Sequence, residues 1–381
     1  MKSYWVSGII ALVAASLQAQ SLVEGTITQV TPTAVPSISW PTRPGGVYGL
    51  FRSSDPYGPF ETQVGTNLTA DGRSLSLADG SASGGGYYYR VEELAPGYAR
   101  YLIVDLSGGS GAVTYPVTYT NVIPTLLTDA SYKTNKIVLR VLAAGAFTMG
   151  TPVGELNRDA SREYLHPVTF TQPFYIGVFE VTRGQYKSVM GGSYTNTTFP
   201  VGGVSYDNIR GSAAQGGGGW PTNSAAYSLS FVGRLRDKTG LAGLDLPTEA
   251  QWECACRAGT TATCHNGKDP ASTTDWAAVD DIAWHAPHTD GTTVGSFRPN
   301  GWGLYDMSGN VAEWVLDWSA ADLRSYTVDP AGPVSGSQRL TRGSAYSSGT
   351  VDFLRSGRRT SAFAPDYVYA PIGFRLARRL P

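Results

Sequence analysis

Glycine is spread through the whole of this chain, 46 times in 381 residues, and that density limits what the chain can build. Inside a helix or strand a glycine weakens the element by roughly 0.5–1 kcal/mol relative to alanine, and it serves best where the backbone turns. Short elements joined by many turns follow. Charged residues make up only 15%, beside nine Trp, 22 Tyr and 12 Phe. Few charges, many glycines and many aromatics predict a loop-rich, mostly β, exported chain rather than a helical cytosolic enzyme. At roughly 100 to 200 residues per domain the length predicts two domains. Lys and Arg (29) nearly cancel Asp and Glu (30), so no global field draws the chain onto nucleic acid or an anionic membrane.

Lys2, an apolar stretch from about Trp5 to Leu17 and then Gln18-Ala19-Gln20 read as a cleavable signal peptide over 1–20, which predicts a secreted or periplasmic protein. No apolar run is long enough to span a bilayer. Ser37–Trp40, Val47–Arg52 and Tyr87–Val91 alternate apolar and polar residues between Pro, Gly, Asp and Ser clusters, the signature of short strands. The pattern resembles a fibronectin type III-like β-sandwich over 21–106, with Trp40 in its core. Asp55, Asp71 and Asp79 stand beside Gly, Pro or Ser and read as turn formers. Leu102–Leu106 reads as one more strand, 107–135 as a linker, and 136–381 as the second domain.

In that second domain Thr248 precedes Glu249-Ala-Gln251, a capping-box spacing that starts a helix. Trp252 and Cys256 then share a core-facing side, and Glu253 and Arg257 form an i,i+4 pair expected to contribute a few tenths of a kcal/mol. In Asp306-Met-Ser-Gly-Asn-Val-Ala-Glu-Trp314, two carboxylates bracket a Gly-Asn turn. Asp306 and Glu313, with carbonyls of Gly309 and Val311, would make an all-oxygen set suited to Ca²⁺, with a dissociation constant on the order of 10⁻⁴ to 10⁻³ M. Cys254, Cys256 and Cys264 are the three cysteines. One disulfide, Cys264 with Cys254 or Cys256, is compatible with export; a Cys254/Cys264/His265 metal site matches no usual ligand spacing. His285 and His288 form a close pair in a surface loop. The arginines at 339, 342, 355, 358, 359, 375, 378 and 379 read as ties between loops rather than a nucleic-acid surface.

Seven blocks in order then resemble one family. They are Phe147-Thr-Met-Gly150, Tyr175–Thr182 with Gln185-Tyr186, Pro200–Asp207, Leu246-Pro-Thr-Glu-Ala-Gln-Trp-Glu253, Asn300–Trp314, Arg342-Gly-Ser-Ala-Tyr346 and Gly373-Phe-Arg375. Together they resemble the sulfatase-modifying factor family, whose founding members are formylglycine-generating enzymes. The resemblance implies a compact, irregular α/β fold related to C-type lectins, and it implies calcium at the positions of Asp306, Gly309, Val311 and Glu313. It also implies two copper-binding cysteines spaced C-x4-C after the Arg342–Tyr346 block, where this chain has Ser348 and Phe353. Cu(I) prefers sulfur, a serine hydroxyl stays protonated, and phenylalanine has no lone pair, so copper is not expected. The expectation is a non-catalytic, calcium-stabilised protein that holds a peptide, protein or glycan in a groove near Tyr346, Ser348, Phe353, Tyr367 and Tyr369. The alternative is a divergent formylglycine-generating-type oxidase, or another peptide-modifying metalloenzyme of the family, using other ligands.

Overall fold

The computed structural model describes residues 97–359 and 361–380 and, before them, six strand segments. These are β1 (Val13–Ala15), β2 (Ser37–Pro41), β3 (Val47–Ser53), β4 (Thr62–Thr69), β5 (Ser74–Ala78) and β6 (Tyr88–Glu93). They form a four-stranded sheet in the order β1-β6-β3-β4 and a β2-β5 pair, so strands arise where alternation predicts them. Their packing as a sandwich, the place of the Trp40 side chain and the remainder of the predicted leader lie outside the described residues. Arg100 is set over the Phe51 ring at 4.1 Å and the Tyr101 ring at 5.2 Å, which ties β3 to the following sheet through cation–π contacts.

The larger body is built on six strands: β7 (Tyr101–Asp105), β8 (Val117–Thr120), β9 (Lys136–Leu142), β12 (Phe174–Gly177), β13 (Leu244–Asp245) and β18 (Ala377–Arg379), in the order β13-β18-β12-β9-β7-β8. Between β9 and β12 lies the hairpin of β10 (Gly145–Met149) and β11 (His166–Phe170). A second four-stranded sheet runs β16-β15-β14-β17, from β14 (Ala312–Trp318), β15 (Arg339–Arg342), β16 (Ser361–Phe363) and β17 (Ile372–Gly373). Among the described residues five short α-helices pack on these: α1 (Ser131–Thr134), α2 (Arg183–Met190), α3 (Tyr206–Arg210), α4 (Phe231–Thr239) and α5 (Glu249–Arg257). Among the described residues no helix is long and apolar enough to cross a membrane.

One boundary drawn from the sequence is corrected. The strand expected at 102–106 forms as β7, but it pairs along its length with β9, so the break placed between 106 and 136 cuts through a single sheet. The expected linker carries β8 and α1 and buries Tyr115, Ile123 and Leu126. Gly and Ser there shape turns; the apolar residues between them are core.

Alternation along the six-stranded sheet separates two cores. Tyr101, Val138, Leu142, Phe174 and Ile176 face one side with the α5 residues Trp252, Cys254 and Cys256. Leu102, Val104, Ile137, Leu139 and Tyr175 face the other with Tyr186, Tyr206, Phe231 and Trp314. Both faces of the sheet are covered, so its strands read as nearly continuous apolar runs. The capping box at Thr248 forms as predicted: Gln251 N–H donates to Thr248 Oγ1 at 3.2 Å, and Thr248 N–H donates to Gln251 Oε1 at 2.9 Å. Every residue of α5 is buried, which adds Cys254 to the Trp252 and Cys256 expected in the core.

Candidate functional site

Buried arginines hold the loops that carry the site. The Arg375 side chain, fully enclosed, donates to Glu313 from Nη2 at 2.8 Å and from Nε at 3.1 Å. It also donates to the carbonyls of Gly177 at 2.8 Å and Tyr305 at 2.8 Å. One guanidinium therefore ties β12, β14 and the loop before β14 together, using the fixed fork of donors that lysine lacks. Arg342 donates to Glu253 at 2.7 Å, Arg359 to Glu249 at 2.8 Å, and Arg355 to Glu155 at 2.6 Å and Glu163 at 3.0 Å. Arg342, Arg355, Arg359 and Arg375 are thus internal ties, as the sequence indicated, whereas Arg379, read as one of the same set, reaches Asp245 only at 4.0 Å. The Glu253–Arg257 pair, expected to contribute only a few tenths of a kcal/mol, is buried at 2.9 Å and shares Glu253 with Arg342 and the Gly150 N–H. Removing one partner there leaves an uncompensated charge, a cost well above a few tenths of a kcal/mol.

The Gly-Asn turn predicted between Asp306 and Glu313 forms, with Asp306, Gly309 and Asn310 all in the left-handed region. Asn310 N–H donates to the Trp284 carbonyl at 2.8 Å and Gly309 N–H to the Gly343 carbonyl at 2.9 Å, while Tyr346 N–H donates to the Asn310 carbonyl at 2.8 Å. Three loops, from 284, 309 and 343, are thereby clamped into one surface. Gly309 is required by close approach as well, since a Cβ there would stand 2.4 Å from the Trp284 carbonyl oxygen.

Glu180, quoted in the Tyr175–Thr182 block but given no role from the sequence, is the hidden support of this turn. It is buried between β12 and α2 and accepts from Asn310 Nδ2 at 2.6 Å and from Val311 N–H at 3.0 Å. Burial, reinforced by the nearby Asp306 and Glu313 charges, raises its pKa well above the ordinary carboxylate range. Burial likewise lifts Asp306 to about 6, against the pull of the Gly295 N–H, Arg375 and Lys133.

Of the calcium set expected at Asp306, Gly309, Val311 and Glu313, both carboxylates have partners within the protein. Glu313 is bonded to Arg375 and accepts from Trp252 Nε1 at 2.7 Å, Val311 turns its N–H toward Glu180, and Asp306 accepts from the Gly295 N–H at 2.7 Å. Among the described residues no three His, Cys, Asp or Glu side chains are grouped to hold a metal. The charge of Glu313 is paired with a guanidinium, so an ion held here would share that carboxylate with Arg375.

Ser348 and Phe353 lie on the loop after β15. Ser348 Oγ bonds to Ser344 Oγ and accepts from Ala345 N–H at 3.2 Å; Phe353 lies half-buried with the Arg358 guanidinium 4.9 Å over its ring. The three cysteines are unbridged and fully buried, so the disulfide left open by the sequence is absent. Burial is the main cause that raises all three thiols, Cys256 to about 11 and Cys264 to about 12, with Cys254 higher still. Thiols held in that state are neither nucleophiles nor metal ligands. His265 is enclosed and pushed down to about 4 by burial, so it is a neutral core residue.

Around Tyr346 the surface is aromatic. Trp284 stacks on His288 with centroids 3.3 Å apart, Phe363 stacks on Tyr367 at 4.7 Å, and Tyr369 lies 6.1 Å from Tyr367. Tyr367 and Tyr369 are 40% and 49% exposed, enough to present ring faces to a ligand. Asp290, ion-paired with Arg183, and Tyr369 both act on the Tyr346 phenol, although burial is the main cause that keeps its proton on. His285 stacks on Trp276 at 4.2 Å and bonds Asp280 at 2.9 Å, so the histidine pair predicted at the surface is held by two separate tryptophans.

Comparison with known proteins gives a consistent picture. The family model described as the sulfatase-modifying factor enzyme 1-like domain matches residues 127–380. The formylglycine-generating enzyme of Thermomonospora curvata is 35% identical over 153 residues, which is 36% of this chain and 50% of that enzyme. The serine/threonine-protein kinase pkn1 of Chlamydia pneumoniae is 35% identical over 145 residues, 36% of this chain and 21% of the kinase. The chain therefore spans half or less of the length of these curated relatives. Among solved structures, PvdO from Pseudomonas aeruginosa aligns with a TM-score of 0.53 at 27% identity, over 64% of this chain and 94% of PvdO. Treponema denticola variable protein 1 aligns at 0.51 and 25%, over 64% of this chain and 96% of that protein.

Proposed function

Because the chain belongs to the sulfatase-modifying factor enzyme 1-like family, we propose that it is an exported, non-catalytic member that binds a peptide or glycan on the aromatic surface around Tyr346. A fibronectin type III-like module precedes that domain in this reading and acts as a spacer. The observation that carries it is the chemistry at the two positions where the family resemblance calls for copper thiolates. Ser348 offers a hydroxyl already bonded to Ser344 and Ala345, and Phe353 offers a hydrocarbon ring. Neither donor type holds Cu(I), and the thiols this chain has are buried and protonated. The exposed rings of Tyr367 and Tyr369 supply rigid contact area at low entropic cost, which suits stacking on sugar faces or apolar side chains.

The test is elemental analysis of the purified chain, with oxygen uptake measured on a cysteine-containing peptide. We expect copper and iron near zero per chain and no peptide-dependent oxygen uptake. Copper or iron near one per chain, with turnover, overturns the reading in favour of a divergent metalloenzyme.

A further inference from the structure

At the end of the six-stranded sheet, remote in sequence from Tyr346, a cleft of about 230 Å³ opens between Trp220, the turn into β12, the first turn of α5 and the Asp329-Pro330 segment. We propose that it binds a small carboxylic acid with an apolar body, the carboxylate on Arg379 and Gln251 and the body against Pro173, Trp220 and Pro330.

The charge balance around Asp245 points to an anion. This single buried carboxylate accepts from Arg210 at 2.7 Å and 3.1 Å and from Arg236 at 2.8 Å. A third guanidinium, Arg379, reaches it only at 4.0 Å, beyond hydrogen-bonding distance. Three positive charges thus share one negative charge. Among the described residues the Arg379 guanidinium makes no hydrogen bond, and it is held 4.1 Å over the Trp220 ring, itself fixed by donating from Nε1 to the Ala331 carbonyl at 2.9 Å. The donor fork is therefore pre-positioned at the cleft with its N–H groups unused.

Gln251 supplies a second, independent sign. Only 6% exposed, it uses Oε1 to accept from Thr248 N–H at 2.9 Å. Its Nε2 has no partner among the described residues, and the side chain lines the cleft. The amide donor thus opens onto the cleft, where a carboxylate oxygen matches it. Both unpaired groups are donors, so the ligand end between them is an acceptor.

Asp329 also lines the cleft. Its oxygens accept from Thr171 N–H and Oγ1, but its charge disfavours a dianion. That selects a monoanionic carboxylate over a phosphate, seated at the Arg379 end. The volume lies below the roughly 300–1,000 Å³ of drug-sized sites, which fits a small acid or one terminal residue of a peptide.

The experiment titrates the full chain by calorimetry with N-acetyl-leucine, with N-acetyl-leucinamide and with a free-acid tripeptide ending in leucine. We expect the acid to bind with a dissociation constant on the order of 1 mM and the amide at least about tenfold more weakly. Arg379→Gln should weaken the acid by a similar factor. Stronger binding of the tripeptide identifies a peptide carboxy terminus as the source; stronger binding of the single residue identifies a free acid. Equal binding of acid and amide, no binding up to about 10 mM, or acid binding unchanged in a folded Arg379→Gln chain overturns the proposal. The acid-against-amide comparison on the unaltered chain decides the matter even where the variant does not fold.

Discussion

Replacing Asp306 with asparagine should stabilise the protein at neutral pH and leave it unchanged in acid. Asparagine keeps the shape and an oxygen for the Gly295 N–H, suits the positive φ of 56° at this position, and removes one negative charge from an enclosure that also holds Glu180 and Glu313. The Asp306 carboxyl is lifted from 3.8 to about 6, chiefly by burial. The folded chain therefore keeps a proton that the unfolded chain releases, and protonation favours folding. That contribution is complete below the unfolded value and is lost as pH rises through about 6. At about 1.4 kcal/mol per pKa unit the shift corresponds to about 3 kcal/mol, which the neutral asparagine no longer forfeits at pH 7.5 or so. For a domain of this size that is a rise in Tm of about 5 to 10 °C, vanishing near pH 3 or 4. Thermal unfolding of both chains across this range, with and without EDTA, measures it. A variant less stable than the parent at neutral pH, with the difference abolished by EDTA, would refute the reasoning and make Asp306 a cation ligand.

Arg375→Met should cost about 3 to 5 kcal/mol in urea unfolding, because it strands the enclosed Glu313; adding Glu313→Leu should recover part of the loss. Thr248→Ala removes the hydroxyl that caps α5 and should lower stability by about 1 kcal/mol, read from the same transition. The three buried thiols should be silent to a thiol reagent in the folded chain and should all react in denaturant, a direct count of whether any is bridged or exposed.

Local chemistry was legible in the sequence, and distant pairing was not. The Thr248–Gln251 capping box depends on four consecutive residues, and it forms as written. The strands near 37, 47 and 88 announce themselves by alternation, and the one near 102 by its apolar run. The partner of β7 does not: alternation marks which residues face which side, but carries nothing about whether Tyr101–Asp105 pairs backward with β6 or forward with β9. Glu180 stood in plain sight in a quoted block, yet its partners Asn310 and Val311 lie 130 and 131 residues away. The same distance hid the engagement of Glu313 by Arg375, 62 residues on, and so a reading of Asp306 and Glu313 as free ligands was natural. The three arginines on Asp245 were equally silent, since no periodic pattern connects them.

These long-range ties also explain how the surface near Tyr346 can change without loss of the fold. The loop bearing Ser348 and Phe353 is held from beneath: Tyr346 N–H on the Asn310 carbonyl, Ser308 Oγ on the Leu354 carbonyl at 3.0 Å, and Arg355 on Glu155 and Glu163. None of these bonds uses the side chain at 348 or 353. A frame whose stability resides in buried guanidinium–carboxylate pairs and backbone clamps leaves those two positions free to carry sulfur, a hydroxyl or an aromatic ring at little structural cost. Chemistry at this surface is thereby separable from the scaffold, and a chain can retain the family's architecture while the groups it shows to a ligand are replaced.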